Sequence, residues 1–222
     1  MVSPVVQNKF TPLSVLLMRL LVSITLLTFS QFALTEELTE ETTEESHNAA
    51  IEIVEHLHTN LLEVMQAADT MNFAERYLKL EPTITESFDT PVITKVILSR
   101  YWKDLSNEQQ EDFIHLFNRQ TIATYASRFD SYTDEIFEIK TVEQLKKGRL
   151  LVRSEIQSKG ESPVHLDYLM HNNNGNWYII SVIADGVNDL SLKRAEYSTV
   201  IKRDGYENLV ANIEKKIVDM EN

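Results

Sequence analysis

The chain has 222 residues, 43% of them hydrophobic, a formal net charge of −13 and no cysteine. That length suits one ordinary domain plus an extra segment. The acidity speaks against a nucleic-acid binder, which needs a basic footprint, and against electrostatic residence on an anionic membrane. The absence of cysteine removes disulfides, thiol catalysis, cysteine–zinc sites and a lipoprotein anchor, yet leaves an oxidising compartment open.

Lys9 and Arg19 are the only charges before Glu36, and LLVSITLLTF (20–29) is a compact apolar run followed by Ser30 and Gln31. A basic stretch, a short apolar run and a cleavage site near Ala33 make the layout of a secretory signal, so residues 1–33 are predicted to be a signal peptide. Gln31 departs from the small residue preferred at such a site. A retained membrane anchor is the competing reading, weakened by Arg19 inside the apolar region 13–29. Residues 34–47, with the run TEELTEETTEES, predict an acidic disordered linker.

The remainder, 48–222, reads as one domain. A helix is predicted over 48–68, with Ile51, Val54, Leu57, Leu61 and Met65 on one stripe. A second covers 73–88 and is interrupted or kinked near Pro82. Pro91, after Asp89 and Thr90, opens a third helix with Val92, Val96 and Tyr101 inward. Ser106 and Gln109 form a capping box for a long helix to about Phe129 that carries Phe113, Phe117, Ile122 and Tyr125. Strands follow at 136–141, 150–157, 164–171 and 177–184. A helix over 190–201 and a last one capped by Asp204 with Glu207 close the chain. This order predicts an α+β fold: an antiparallel sheet of about four strands packed on one side by helices.

The stretch 163–187 carries most information. Alternation puts Val164, Leu166, Tyr168 and Met170 on one strand face and His165, Asp167 and His171 largely on the other. Asn172 to Asn176 supply a turn, where Asn and Gly tolerate positive φ. The following strand, 177–184, is almost wholly apolar, which predicts cover on both faces. A catalytic hairpin would place acids, bases or a nucleophile here.

Chemistry is sparse elsewhere. His56 and His58 point about 200° apart on a helix, and His165 and His171 are six residues apart on a strand, so neither pair shares a metal ion, and no HExxH spacing occurs. No G-x-S-x-G elbow is present, and five glycines make no phosphate-cradling loop. No metal, cofactor or catalytic residue is therefore expected. Lys193, Arg194, Lys202 and Arg203 are the notable basic cluster. Lys202 and Arg203 suit a helix C-terminus. Lys193 and Arg194 are candidates either for plain helix-surface charge or for a docking or headgroup-facing patch.

Four segments together resemble a known family: FDTPVITKVILSRYW (88–102), SNEQQEDFIHLFNRQTIATYASRFDSY (106–132), PVHLDYLM (163–170) with GNWYIISVIADGV (175–187), and KRAEYSTVIKRDGYENLV (193–210). The chain resembles the MlaC / toluene-tolerance auxiliary family of periplasmic lipid-binding proteins over roughly residues 50–218. ATYASRFDSY and LDYLM look closest to its hopanoid-biosynthesis-associated branch, HpnM. The resemblance implies a monomeric periplasmic shuttle of MlaC-like fold, whose cone-shaped sheet encloses a lipid pocket. It would carry phospholipid or hopanoid between the inner and outer membranes, with an inner-membrane ABC-type or RND-type transporter and an outer-membrane complex as partners. Two positions depart from the family pattern. Ser99 stands where Gly is usual before Tyr101 and Trp102, which bears on packing at the pocket mouth. Ser181 stands where Asp is common, although Asp185-Gly186-Val187 is retained.

A sixteen-carbon chain must be sheltered by about 12 kcal/mol to leave a bilayer, at about 0.8 kcal/mol per methylene. Only a deep apolar cavity does that. The predicted lining is Phe88, Val92, Val96 and Tyr101 from the N-terminal helices, Phe117 and Tyr125 from the long helix, and Leu151, Tyr168, Met170, Ile180, Val182 and Val187 from the strands. By pattern alone these apolar stripes are equally what a filled core needs. Two rivals remain: a small cone-fold enzyme of the hydratase or isomerase type, and a membrane-tethered interaction domain.

Overall fold

Val54, Leu57 and Leu61, at helical spacing, are fully buried on the inner stripe of the first helix, α1 (residues 44–66). The structure, a computed structural model, describes residues 44–221, and His47–Asn222 form one compact unit. The predicted signal peptide and most of the predicted linker lie outside the described residues. Residues 44–47, the end of the predicted linker, are helical.

Helix α2 (Phe73–Ser87) opens on a capping box. The Glu75 N–H donates to the Asn72 side chain at 3.1 Å, and the Asn72 N–H donates to the Glu75 carboxylate at 2.8 Å. Helix α3 (Thr90–Leu98) is capped by Asp89, which accepts from the Val92 N–H at 3.0 Å, and Pro91 sits in its first turn. Its inner face is Ile93 and Ile97, both buried, where the sequence suggested Val92 and Val96. Val92 is half-buried and Val96 is exposed, because a register starting at Thr90 turns the 93/97 stripe to the core.

Ser99 ends α3 at φ 53°, ψ −117°, and begins a 3-10 turn (Ser99–Asp104). That conformation suits glycine and strains any residue with a Cβ. The Ser99 hydroxyl accepts from Arg194 at 2.9 Å, an exposed contact of small worth. Ser99→Gly is therefore expected to raise the unfolding free energy by about 1 kcal/mol. Urea midpoints of the two proteins measure it, and an unchanged or lower midpoint would refute the strain.

Helix α4 (Asn107–Arg128) starts on the expected Ser106–Gln109 box and buries Phe113, Phe117 and Ile122. Five antiparallel strands then form a meander in sequence order: β1 (Ile136–Leu145), β2 (Arg149–Gln157), β3 (Val164–Asn173), β4 (Asn176–Ala184) and the two-residue β5 (Val187–Asn188). The extra strand relative to expectation is β5, made by the tight Asp185-Gly186 turn, whose φ values are 47° and 80°. Asn174 and Gly175, at 54° and 92°, make the predicted β3–β4 turn.

The register pairs Leu150 with Met170, Val152 with Tyr168 and Tyr168 with Val182 on the helix-covered face. The other face carries a charge lattice in which Arg153 binds Glu143 and Asp167, and Glu155 meets Lys140 and His165. Helix α5 (Asp189–Asp204) is capped by Asn188. The Asp204 carboxylate is held by Arg203 and does not cap the last helix, α6 (Tyr206–Glu221); Gly205, at φ 90°, makes the junction.

Candidate functional site

Between the inner sheet face and helices α3, α4 and α5 lies a cavity of about 320 Å³. Phe88, the residue that ends α2, forms one wall. Its placement comes from backbone: Phe88 bridges Ile179 of β4, and the next N–H, that of Asp89, donates to the Ile179 carbonyl at 3.1 Å. The Asp89 carboxylate in turn accepts from His171 at 2.8 Å and from Asn173 at 3.4 Å, tying the start of α3 to the end of β3.

Helix α4 presents Phe117, Thr121, Thr124 and Tyr125 to the cavity, one turn after another. Thr121 and Thr124 donate their hydroxyls to the Phe117 and Gln120 carbonyls, so neither leaves an unpaired donor in an apolar space. From Phe88 an arc of rings runs around the wall. Phe88 meets Tyr125 edge-on at 5.8 Å, Tyr125 stacks on Phe129 at 5.6 Å, and Phe129 contacts Phe137 at 6.2 Å. Phe137 stacks on His58 at 4.5 Å, and His58 touches Tyr168. Aromatic pairs in these offset and edge-on arrangements each contribute about 0.5–1.5 kcal/mol beyond the area they bury.

Tyr168 lines the cavity with its ring, while its hydroxyl shares a 2.9 Å hydrogen bond with His58 Nε2. Burial lowers the His58 pKa to about 4, so the imidazole is neutral at neutral pH, and burial raises the Tyr168 phenol. The one polar tip on this wall is thereby satisfied. The Tyr125 hydroxyl has no hydrogen-bond partner among the described residues, and burial raises its pKa well above the ordinary phenol value. It stays a proton donor open to a ligand.

Strand β4 contributes three successive residues, Ile180, Ser181 and Val182. A regular strand sends neighbours to opposite faces. Here the register jumps from Leu169↔Ser181 to Met170↔Ile179, leaving Ile180 as an extra residue, and this bulge brings all three to the cavity.

Of the predicted lining, Phe88, Phe117, Tyr125, Tyr168, Ile180 and Val182 border this space. The others lie elsewhere. Leu151 pairs with Leu169, one residue out of phase with Val152 and Tyr168, and so faces away from the cavity. Met170 is fully buried and pairs with Leu150 and Ile179 as core beyond the cavity end. Val187 is exposed on β5, Val96 on the outer side of α3, and Val92 is half-buried beside it. Tyr101 sits in the 3-10 turn, where its hydroxyl accepts from Arg100. Ile93, Ile97, Phe129, Leu166, Leu190 and Leu192 complete the walls and are absent from the predicted lining. Alternation places Leu166 on the face of Tyr168, and the i, i+4 spacing of Ile93 and Ile97 is readable in the sequence too.

The mouth is charged: Arg128, Asp189, Lys193 and Glu196 border it. Lys193 thus lies at the cavity, while Arg194 points to Ser99 at the end of α3. Among the described residues no three His, Asp or Glu side chains converge to hold a metal ion, and no helix is long and apolar enough to cross a membrane.

Comparison with known proteins gives three findings. The family described as MlaC protein matches residues 55–215. The intermembrane phospholipid transport system binding protein MlaC of Haemophilus influenzae is 23% identical over 123 residues, 54% of this chain and 58% of that protein. The chain therefore spans little more than half of that curated relative. The structure of a phospholipid-binding protein from Ralstonia solanacearum, in complex with a phospholipid, superposes with a TM-score of 0.68 at 20% identity. It covers 79% of this chain and 98% of that one. At this identity the likeness is one of fold.

Proposed function

The chain belongs to the MlaC family, and we propose that it is a lipid-binding carrier that shuttles phospholipid between the inner and outer membranes. The observation that carries this reading is the cavity of about 320 Å³ between sheet and helices, walled by Phe88, Phe117, Tyr125, Phe129 and Ile180. Its size sits at the lower end of the range for small-molecule sites. The space takes acyl hydrocarbon. The rest of a lipid emerges at the charged mouth.

Export fits the same reading. Residues 1–33 serve as a signal cut near Ala33, residues 34–47 as an acidic linker, and residues 48–222 as the periplasmic lipid-binding domain. The relative's membership of a phospholipid transport system supports membrane partners of the ABC type on the inner side and a complex in the outer membrane. The phospholipid held by the Ralstonia protein favours phospholipid over hopanoid as cargo. An enzymatic reading needs a free acid/base pair in the cavity. Instead Asp189 is held by the Val182 N–H and the Ser181 hydroxyl, and Glu196 is held by Lys216.

Native mass spectrometry of protein purified from an envelope fraction, with organic extraction of what it carries, tests the proposal. One phospholipid per chain is the expected result. A copurifying triterpenoid would reassign the cargo to hopanoid, and persistently empty protein that refuses lipid from vesicles would overturn the carrier reading.

A further inference from the structure

The cavity mouth is unequal in how its charges are partnered. Its carboxylates are occupied: Asp189 Oδ1 accepts from the Val182 N–H at 2.9 Å and from the Ser181 hydroxyl at 3.1 Å, and Glu196 is paired with Lys216 of α6. Its cations are not. Neither Lys193 nor Arg128 has a carboxylate within 4.0 Å or a hydrogen bond to any described residue. The two come from different helices, α5 and the last turn of α4, and both border the same opening.

Lys193 lies half-buried with its ammonium 5.8 Å from the centre of the Phe117 ring. The ring face attracts it, but only weakly offsets the loss of water. Loss of solvent lowers its pKa, and the Arg128 charge adds to the same direction, while Asp189 and Glu196 oppose it. A cation held in a partly dry place beside a second cation is stabilised by an anion set between them. The nearby Arg194, by contrast, is tied to Ser99 on the outside of the same helix.

We propose that Lys193 and Arg128 form a site at the cavity mouth for the headgroup phosphate of the cargo lipid. This rests on the carrier reading above. With an acyl chain seated in the cavity, the phosphodiester lies near the opening that both side chains border. Arg128 offers a planar fork for two phosphate oxygens and Lys193 a compact charge with three donors. An uncharged lipid of the same hydrocarbon content gains nothing from either.

The test uses the full-length delipidated protein with vesicles containing phosphatidylglycerol and diacylglycerol of matched acyl chains. The loaded ratio is read by native mass spectrometry. Wild type is expected to favour phosphatidylglycerol. Lys193→Gln should lower that ratio about tenfold and the Lys193→Gln/Arg128→Gln pair about a hundredfold, as loss of one and two charge-assisted contacts predicts. Circular dichroism shows that the variants fold. Inorganic phosphate is the second arm. A thermal upshift of wild type that the double variant loses shows that the site accepts the free anion. No upshift with the lipid preference intact assigns the site to a tethered headgroup. An unchanged ratio in the double variant overturns the site while leaving the carrier reading standing, whereas wild type that loads neither lipid overturns both.

Discussion

Val182→Glu is expected to strip bound lipid from the purified protein by at least about tenfold. Val182 borders the cavity from β4, and its backbone N–H is already bonded to Asp189, so the new carboxylate is set beside a like charge on an apolar wall. Any hydrocarbon packed there would bury it, and an unpaired charge in an apolar site is strongly disfavoured. Each sheltered methylene contributes about 0.8 kcal/mol to binding, and each 1.4 kcal/mol lost is about tenfold in affinity. Because a buried charge also threatens folding, Thr121→Trp provides a neutral counterpart. Thr121 is half-buried on α4 with its side chain at the cavity, and an indole there takes up much of the space without any charge. Lipid-to-protein ratios by extraction and mass spectrometry measure both. Wild-type stoichiometry in both folded variants would show that the lipid lies elsewhere.

The second large effect is on stability as pH falls. His58 has an ordinary pKa near 6.5 in the unfolded chain and about 4 in the folded one, because burial disfavours the imidazolium. The unfolded state therefore binds the extra proton first. Stability is full above about pH 6.5, falls as pH drops between about 6.5 and 4, and the loss is complete below that. The loss comes to about 2 kcal/mol by pH 5 and grows to about 3 kcal/mol. Urea unfolding at pH 7 and pH 5 reads it directly. His58→Gln keeps a hydrogen-bonding group beside the Tyr168 hydroxyl but cannot titrate, so its stability should change far less over that interval. Equal slopes for the two proteins would place the proton uptake on another group. The same bond joins α1 to β3 behind the cavity wall, so lipid retention is expected to weaken in the same acidic range.

Much of the architecture is legible in the chain. The Ser106–Gln109 box, the Pro91 start and the Asn174-Gly175 turn are local devices, each set by a few neighbouring residues, and each stands where the sequence puts it. The apolar face of Leu166 and Tyr168 is equally plain from alternation. What escapes depends on partners far along the chain. Val92 and Val96 look as apolar as Ile93 and Ile97, and which stripe turns inward is decided by the packing of α3 on α5 and the sheet. Leu151 reads as pocket lining until the register pairs it with Leu169. His58, a polar residue on a helix, is buried because Phe137 and Tyr168 arrive from β1 and β3 to cover it.

Local patterns of period and turn chemistry thus specify a helix–sheet–helix order and an apolar hairpin without catalytic groups, while the resemblance to a lipid-binding family rests on the four quoted segments. That these apolar faces leave a space between them, instead of closing into solid core, emerges only when the elements pack. Packing also separates Lys193 from its neighbour Arg194 and sets it beside Arg128 at the mouth. Period tells which side of an element is oily. Whether two oily sides touch depends on the bulge at Ile180 and the aromatic arc from Phe88 to Tyr168, whose members meet only when distant segments come together.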